Sequence, residues 1–267
     1  MCEVLELSRS AYYAWKNRIP SDRNLRDQRL AQQIQTIFWR HRRRYGARRI
    51  AAELADQGEV CSPRKVAELM AFQGLRAIQP RSFVPRTTQS RHRLGYSPNL
   101  LLEAGEPDSP DQLWVGDISH LPLSDGRFCY LAILMDRYSR RIVGWHVEPS
   151  MTEDLVIPTL QKAIQECQPK PLVIHHTDRG GQYASSRYRA ILNRAGFQQS
   201  MNRAENCYEN AFMESCFGTL KTELQMTEYK HHEMARREIG EYIAYYNLDR
   251  KHSALGYLTP HQFERHT

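Results

Sequence analysis

Three apolar runs in close succession constrain the fold of this 267-residue chain more than any other feature of its sequence. Each run has the length and composition of a β-strand. The runs cover residues 113–123, 128–136 and 141–147. The turn-forming sequence Ser124-Asp125-Gly126-Arg127 joins the first run to the second. These features predict a meander of three strands.

The rest of the C-terminal half alternates helix and strand patterns. Short strands are predicted over 171–176 and 197–201. The predicted helices of this half follow Thr152, follow Ser185, and cover 209–225 and 231–247. A meander followed by helix–strand–helix–strand–helix indicates an α/β fold over residues 113–267, with a mixed five-stranded sheet flanked by helices on both faces and a C-terminal helical extension.

The first third of the chain shows a different pattern, with three helices in succession. The predicted helices cover 25–40, 48–57 and a segment from Ser62-Pro63 to Gly74. Short helices joined by a tight turn are typical of a helix-turn-helix, which we predict over residues 25–77; the alternative is a helical hairpin that serves packing alone. Residues 1–20 resemble the second half of another helix-turn-helix. Residues 78–112, rich in Pro, Ser, Arg and Gln, are predicted to be a linker that either lies along DNA or is an inert tether.

Positive charge is concentrated in the same third. The net charge is +7 overall, but residues 1–95 hold 19 Lys and Arg against 8 Asp and Glu, whereas residues 96–267 hold 18 against 22. A basic module joined to a mildly acidic remainder is typical of nucleic-acid-binding proteins, although a solvated basic face gives the same count. Arg side chains match phosphate oxygens well, so the basic residues around the predicted turn are candidates for DNA contact. They are Arg42, Arg43, Arg44, Arg48, Arg49, Arg64 and Lys65.

Several classes of protein are disfavoured by simple features of the sequence. No apolar run reaches the roughly 18 residues that a membrane-spanning helix needs. The N-terminus has no basic lead and no apolar segment of a secretory signal. The six cysteines form no Cys-x-x-Cys pair, which argues against a zinc ribbon and against a disulfide framework. We therefore expect a location in a reducing cytoplasm.

Three acidic residues stand where packing alone gives no reason for a charge. Asp117 interrupts the apolar run Trp114–Ile118. Asp178 follows a predicted strand, and Glu214 lies beside the apolar stripe of a predicted helix. Carboxylates near a core need a cation, and three that converge repel one another unless a metal ion neutralises them. Taken singly each acid is more commonly a cap or an ion-pair partner, but together they predict a site for Mg²⁺ or Mn²⁺, which favour oxygen ligands.

The spacing of these acids resembles that of a known family. Sixty residues separate Asp117 from Asp178, and 35 separate Asp178 from Glu214. The sequence thereby resembles the DDE transposases and retroviral-type integrases, and most of all the integrase-like second-reading-frame product of bacterial two-frame insertion sequences. Lys221, seven residues after Glu214, matches the basic residue of that family. Further matching stretches are 45–50, 114–119, 175–183, 206–215 and 246–260.

The resemblance implies both a fold and a reaction. The implied fold is a ribonuclease H-like core, with the first acid on the central strand, the second at the end of a neighbouring strand and the third on a helix. The implied activity is that of a transposase, which cleaves the 3′ ends of an insertion element and transfers them to target DNA. Asp117, Asp178 and Glu214 would be the catalytic acids and would hold two divalent ions. The rival hypotheses are a ribonuclease H-like metal nuclease and a DNA-binding regulator with an inactive core.

Partners and supporting residues follow from the same resemblance. The expected partners are double-stranded DNA, as element ends and as target, other copies of the chain on that DNA, and an upstream-frame product; no membrane partner is expected. Lys221 is predicted to contact DNA, the alternative being a surface lysine paired with Glu223 or another acid. Four further residues lie near the acids in sequence and are candidates for DNA contact or for support of the site, although a structural role is open for the histidines. They are His175, His176, Tyr183 and Asn210.

Overall fold

The computed structural model describes residues 8–17, 21–79, 95–203, 211–225 and 228–266. The chain divides into two compact units, with the boundary between Ile78 and Gln79. Within the described ranges, no helix is long and apolar enough to cross a membrane.

The first unit is helical, as predicted. Its helices are α1 (Arg9–Lys16), α2 (Asp22–Arg40), α3 (Ala47–Asp56) and α4 (Pro63–Phe72). Local signals set the ends of α4, because the Ser62 hydroxyl accepts a hydrogen bond from the Lys65 N–H and Gly74 adopts a left-handed φ of +66° just beyond the helix. Apolar side chains from α2, α3 and α4, such as Ile34, Ile50 and Val66, form the core of this unit.

Helix α1 stands apart from that core, since none of its residues is buried. The Ser8 hydroxyl caps the start of α1 by accepting a hydrogen bond from the Ala11 N–H. The remainder of the predicted partial helix-turn-helix, residues 1–7 and 18–20, lies outside the described residues.

The second unit is built on a five-stranded sheet. Its strands are β1 (Leu113–Pro122), β2 (Phe128–Asp136), β3 (Ile142–Glu148), β4 (Ile174–Thr177) and β5 (Gln198–Met201). Their spatial order is β3-β2-β1-β4-β5. The meander β1–β2–β3 is antiparallel, whereas β4 pairs parallel with both β1 and β5. The predicted mixed sheet of ribonuclease H-like type is confirmed, and β1 is its central strand.

Helices cover both faces of this sheet, again as predicted. The helices of the unit are α5 (Glu153–Cys167), α6 (Ser186–Arg194), α7 (Ala211–Glu223), α8 (His232–Leu248) and α9 (Pro260–Arg265). One core cluster joins α5 and α6 to side chains such as Trp114 and Leu134, and the other joins α7 and α8 to side chains such as Val115 and Ile133. Alternation along β1 therefore assigns odd-numbered residues to the α7 face.

Helix α5 lies unusually close to β3, and Gly144 permits this approach. A Cβ atom at this position would lie 2.4 Å from the carbonyl oxygen of Thr159 in α5. We expect Gly144→Ala to lower the free energy of unfolding by about 1–3 kcal/mol, because the helix must shift to relieve the clash. Urea unfolding of the purified protein measures the change.

Gly218, on the exposed side of α7, is the matched control for that substitution. An added Cβ atom there meets no atom within 4 Å. Because alanine is favoured over glycine in helices, Gly218→Ala should raise the free energy of unfolding by as much as about 1 kcal/mol. Equal effects of the two substitutions would contradict the close approach of α5 to β3.

Residues 97–100, within the predicted linker, pair with the edge strand β5 of the sheet. The Ser97 hydroxyl donates a hydrogen bond of 2.9 Å to Gln199 in β5, and the Leu100 N–H donates one of 2.9 Å to the Ser200 hydroxyl. The carbonyl of Pro98 accepts a hydrogen bond from the Met201 N–H. Residues 97–100 thus lie along the edge strand of the sheet. The polar, proline-rich composition of this segment concealed the pairing, because backbone and polar side-chain groups make the contacts rather than an apolar face.

The strand predicted over 171–176 starts later, at Ile174. Leu172 adopts a left-handed φ of +79°, which strand geometry excludes, so the residues before Val173 form a turn.

Candidate active site

The sheet brings the first two acids side by side. In the parallel pairing of β1 with β4, Val115 lies opposite His176, so two residues further along each chain Asp117 reaches the level of Asp178. Asp117 also alternates onto the same face as Val115, which packs against α7. Both side chains are half-buried. A parallel register, rather than proximity in sequence, therefore places these two carboxylates together.

Helix α7 carries the third acid across this face. Met213, Cys216, Phe217 and Leu220 are its buried stripe. Glu214 lies in the first turn with its side chain exposed, and Lys221 lies in the last turn, half-buried. Seven residues are about two helical turns, so Glu214 and Lys221 project from the same side of α7.

The electrostatics of Asp117 show that these groups act on one another. Its pKa is raised to about 7, first because burial disfavours the charged form and then because the carboxylates of Asp178 and Glu214 repel it. The Ile118 N–H, 2.8 Å from the Asp117 carboxylate, and the Lys221 ammonium act in the opposite direction. Negative charge at this site is thus only partly compensated by the chain itself.

The turn after β4 orients Asp178. Its Oδ1 accepts a hydrogen bond of 2.9 Å from the Gly180 N–H. A Cβ atom at Gly180 would lie 2.4 Å from the Gln182 side chain and 3.0 Å from Asp178 Oδ1, so a larger residue here would displace the Gln182 side chain and crowd the Asp178 carboxylate. Within the described ranges, no three His, Cys, Asp or Glu side chains are close enough together to form a ready metal site.

Comparison with known proteins agrees with this arrangement. An integrase core domain model matches residues 107–207, a second integrase core domain model matches 195–260, and an HTH-like domain model matches 25–83. The chain is 40% identical to the insertion element IS600 uncharacterized 31 kDa protein of Shigella sonnei, over 98% of this chain and 97% of that protein. It is 39% identical to transposase InsF for insertion sequence IS3A of Escherichia coli, over 99% and 92% respectively. The transposase for insertion sequence element IS904 of Lactococcus lactis is 37% identical, over 94% and 99%.

The chain belongs to the insertion-sequence transposases that carry an integrase core domain. The resemblance inferred from the spacing of the acids is thereby confirmed, and the chain is a transposase, a polynucleotidyl transferase of the DDE type. Among solved structures, the HTLV-2 integrase catalytic core domain in complex with magnesium aligns with a TM-score of 0.44 at 15% identity, over 59% of this chain and 98% of that one. A simian T-cell lymphotropic virus intasome aligns with a TM-score of 0.48 at 16% identity, over 80% and 70%.

Sequence reasoning missed how the transposase holds α7. At its start, the guanidinium groups of Arg137 and Arg140 lie 4.6 and 4.9 Å from the centre of the Phe212 ring. At its end, Glu223 and Arg250 form a buried ion pair of 2.8 Å. Glu223, one alternative partner for Lys221, is therefore engaged by Arg250.

This anchoring explains the C-terminal stretch 246–260, which the sequence marked only as a resemblance. Arg250 supplies the buried cation just described, and the Tyr242 hydroxyl donates a further hydrogen bond of 3.1 Å to Glu223. The Asn247 amide pairs with both backbone groups of Ile142 at the start of β3, at 3.0 and 2.9 Å. The stretch thus secures the helix of the third acid rather than contributing an acid itself.

The two histidines near Asp178 are completely buried and do not face solvent. The Tyr188 hydroxyl lies 2.7 Å from His175 Nε2, and burial lowers the pKa of His175 to about 3. His176 contacts Ser200 and Asn202 through its two ring nitrogens. Tyr183 is buried beside His175. The prediction that His175, His176 or Tyr183 contacts DNA directly is therefore wrong, because all three side chains are buried. That they support the site stays a prediction. Asn210 lies outside the described residues.

The basic residues of the HTH-like domain divide into two groups. Arg42, Arg43, Arg48 and Arg64 are exposed, and Arg42 and Arg43 occupy the turn after α2 with left-handed φ values of 49° and 64°. The others have structural partners. Arg44 is buried, Arg49 donates a hydrogen bond of 3.3 Å to the Arg44 carbonyl, and Lys65 forms an ion pair of 2.8 Å with Asp27. The prediction of DNA contact is wrong for Arg44, because its side chain is out of reach of a phosphate.

Proposed function

We propose that the transposase cleaves the 3′ ends of its insertion sequence and joins them to target DNA, with Asp117, Asp178 and Glu214 as its catalytic acids. The supporting observation is the electrostatic interaction among these three carboxylates. Strand β1, the end of β4 and helix α7 each bring one carboxylate to the same face of the sheet, where Asp178 and Glu214 both raise the pKa of Asp117. Repelling charges at this position weaken the fold, so a catalytic role accounts for them better than packing does.

The donor set fits Mg²⁺ or Mn²⁺. Three carboxylates offer hard oxygen ligands, and a cation relieves the repulsion that raises the pKa of Asp117. We assign Asp117, Asp178 and Glu214 as the residues that would hold two divalent metal ions. When bound, these ions activate the attacking oxygen and stabilise the leaving 3′ oxygen.

The bonds exchanged in the two steps require no covalent link to the protein. In cleavage, a water oxygen attacks phosphorus and the 3′ oxygen leaves as a hydroxyl. In joining, this 3′ hydroxyl attacks a phosphodiester of the target, whose own 3′ oxygen leaves. The task of the chain is therefore to hold the DNA and to orient the acids, which agrees with an α7 anchored at both ends.

Lys221 is proposed to bind a DNA phosphate beside the acids. An ammonium has no lone pair for a metal ion, so it is not a ligand. Replacement by alanine should raise the KM for the processed DNA end about tenfold, because one charge-assisted contact is lost. Lys221→Arg should retain most of the affinity. Joining assays at several DNA concentrations measure the KM, and an unchanged KM in Lys221→Ala would contradict the role.

The DNA-binding region, the oligomeric state, the partner protein and the location are proposed next. We assign recognition of element ends to residues 25–77, through the exposed Arg42, Arg43, Arg48 and Arg64. Two element ends must be handled together, which favours several copies of the chain on the DNA. An upstream-frame product is proposed as an additional partner, and the bacterial cytoplasm as the location.

A strand-transfer assay tests the proposed function. The full chain is incubated with Mg²⁺ or Mn²⁺ and a labelled duplex that carries the terminal repeat from the DNA flanking the coding region. The expected products are a strand shortened at its 3′ end and, with target DNA, longer joined strands. Cleavage without joining would support the rival nuclease, and DNA binding without cleavage would support the inactive regulator.

A further inference from the structure

Next to Asp178, the guanidinium group of Arg179 lies over the exposed aromatic ring of Tyr96. The function described so far gives neither residue a role. Arg179 directly follows Asp178, so their Cα atoms are about 3.8 Å apart. The guanidinium carbon of Arg179 lies 4.5 Å from the centre of the Tyr96 ring. Tyr96 is 39% exposed. We call these two residues the Tyr96–Arg179 pair.

A buried hydrogen-bond network holds Arg179 in this position. Its Nε donates a hydrogen bond of 2.6 Å to the carbonyl of Asn202. The Asn202 side-chain oxygen lies 2.7 Å from His176 Nε2, and His176 Nδ1 lies 2.8 Å from the Ser200 hydroxyl. Because the Asn202 side-chain oxygen can only accept, Nε2 donates to it, and the Ser200 hydroxyl, which accepts from the Leu100 N–H, is free to donate its own proton to Nδ1. His176 is thereby a support for Arg179.

The segment along β5 holds Tyr96 from the other side. Ser97, the next residue, donates to Gln199, and Pro98 accepts from Met201. The Arg189 side chain donates to the carbonyl of Gly95, the residue before Tyr96. Both members of the pair are thus fixed by neighbours on the edge strand, which leaves the ring exposed at a defined place near Asp178.

We propose that the Tyr96–Arg179 pair binds the DNA strand next to the phosphodiester that is cleaved, with Tyr96 stacking on a base and Arg179 contacting a phosphate. An exposed aromatic ring backed by a guanidinium is a stacking surface for bases, and Arg forks match phosphate oxygens. The Tyr96–Arg179 pair would position the DNA strand relative to Asp178 without taking part in the bond exchange itself. The inference rests on the proposed function, because it takes Asp178 as a catalytic acid.

The test uses the full chain and a terminal-repeat duplex with 2-aminopurine at successive positions around the cleaved bond. Without metal, binding of the wild type should quench the fluorescence at one or two of these positions, since stacking quenches this base. Tyr96→Ala should abolish the quenching and raise the Kd about tenfold, whereas Tyr96→Phe, which keeps the ring, should retain both. Arg179→Ala should raise the KM of cleavage more than it lowers kcat. Arg187→Ala is the matched control; this exposed arginine on α6 is paired with Glu153 and should change neither value.

The outcomes separate this inference from the proposed function. Wild-type quenching that persists unchanged in Tyr96→Ala would overturn the stacking role, even if the enzyme cleaves normally. A Kd that rises only together with a lower melting temperature, and that Tyr96→Phe does not restore, would show a structural role and would also overturn it. Quenching that depends on Tyr96 in a protein that cleaves no DNA would support the pair as a DNA contact and refute the proposed catalytic function.

Discussion

Asp117→Asn should abolish end cleavage and joining and, at the same time, make the metal-free transposase more stable above pH 7. The loss of activity follows from the removal of a proposed metal ligand, and Asp178→Asn and Glu214→Gln should have the same effect. DNA binding should persist in all three variants, because the exposed arginines of the HTH-like domain are unchanged. A single variant with near-normal joining would contradict the assignment of the acids.

The gain in stability follows from the direction of the pKa shift. The pKa of Asp117 is about 7 in the folded chain, against an ordinary value of 3.8. A raised carboxyl pKa means that the wild type keeps its full stability below about pH 4 and loses stability as the pH rises through 7. Asparagine does not titrate, so the stability advantage of Asp117→Asn grows between about pH 4 and pH 7 and is complete above pH 7, on the order of 4 kcal/mol.

Melting curves between pH 4 and pH 8, with and without Mg²⁺, measure this effect. Added Mg²⁺ should restore stability to the wild type, because an ion that binds only the folded state stabilises it, and should do so much less in Asp117→Asn. Asp125→Asn in the exposed β1–β2 turn is the matched control and should show wild-type activity. An Asp117→Asn variant that is less stable than the wild type at pH 8 would contradict the claim that the ionised Asp117 carboxylate destabilises the metal-free protein.

Arg250→Ala should cause the largest loss of stability among single substitutions in the integrase core. The substitution leaves the Glu223 carboxylate buried without its cation, and breaking a buried pair in this way costs about 3–5 kcal/mol. Because Glu223 lies at the end of α7, we also expect joining to fall, through displacement of Lys221 and Glu214. Urea unfolding and the joining assay measure the two effects.

A double variant separates the broken ion pair from a general packing defect. Arg250→Met combined with Glu223→Gln removes both charges and should recover much of the lost stability, since an apolar replacement of a whole buried pair is often tolerated. Arg127→Ala removes an exposed arginine that is paired with Asp125 and should change stability little. A double variant as unstable as Arg250→Ala would contradict the proposed cause.

The elements that the sequence predicted well are those with local causes. The strands of the meander follow from apolar runs long enough to span the sheet. The starts of α4 and α6 follow from Ser62 and Ser185, whose hydroxyls accept hydrogen bonds within their own first turns. The three candidate acids were likewise selected from the sequence alone, because a charge inside an apolar run and the intervals 117–178–214 can be read without coordinates.

Other features depended on contacts between distant parts of the chain. Residues 97–100 belong to a segment with the composition of a linker, yet they pair with β5 through backbone groups and polar side chains. The burial of Arg44 and His176 had no sequence signal, because the same residue types are common on surfaces. Glu223 likewise gave no sign of its partner Arg250, which follows it by 27 residues and reaches it only when α8 folds back.

The sequence by itself thus determined which residues carry the charge and which segments form strands and helices, since hydrophobic periodicity and capping act over a few residues. Only the tertiary structure decided that Asp117 and Asp178 meet, because the parallel register of β1 and β4 joins residues 61 positions apart. It likewise decided that Tyr96 stands beside Arg179, because pairing with an edge strand depends on the whole sheet being in place.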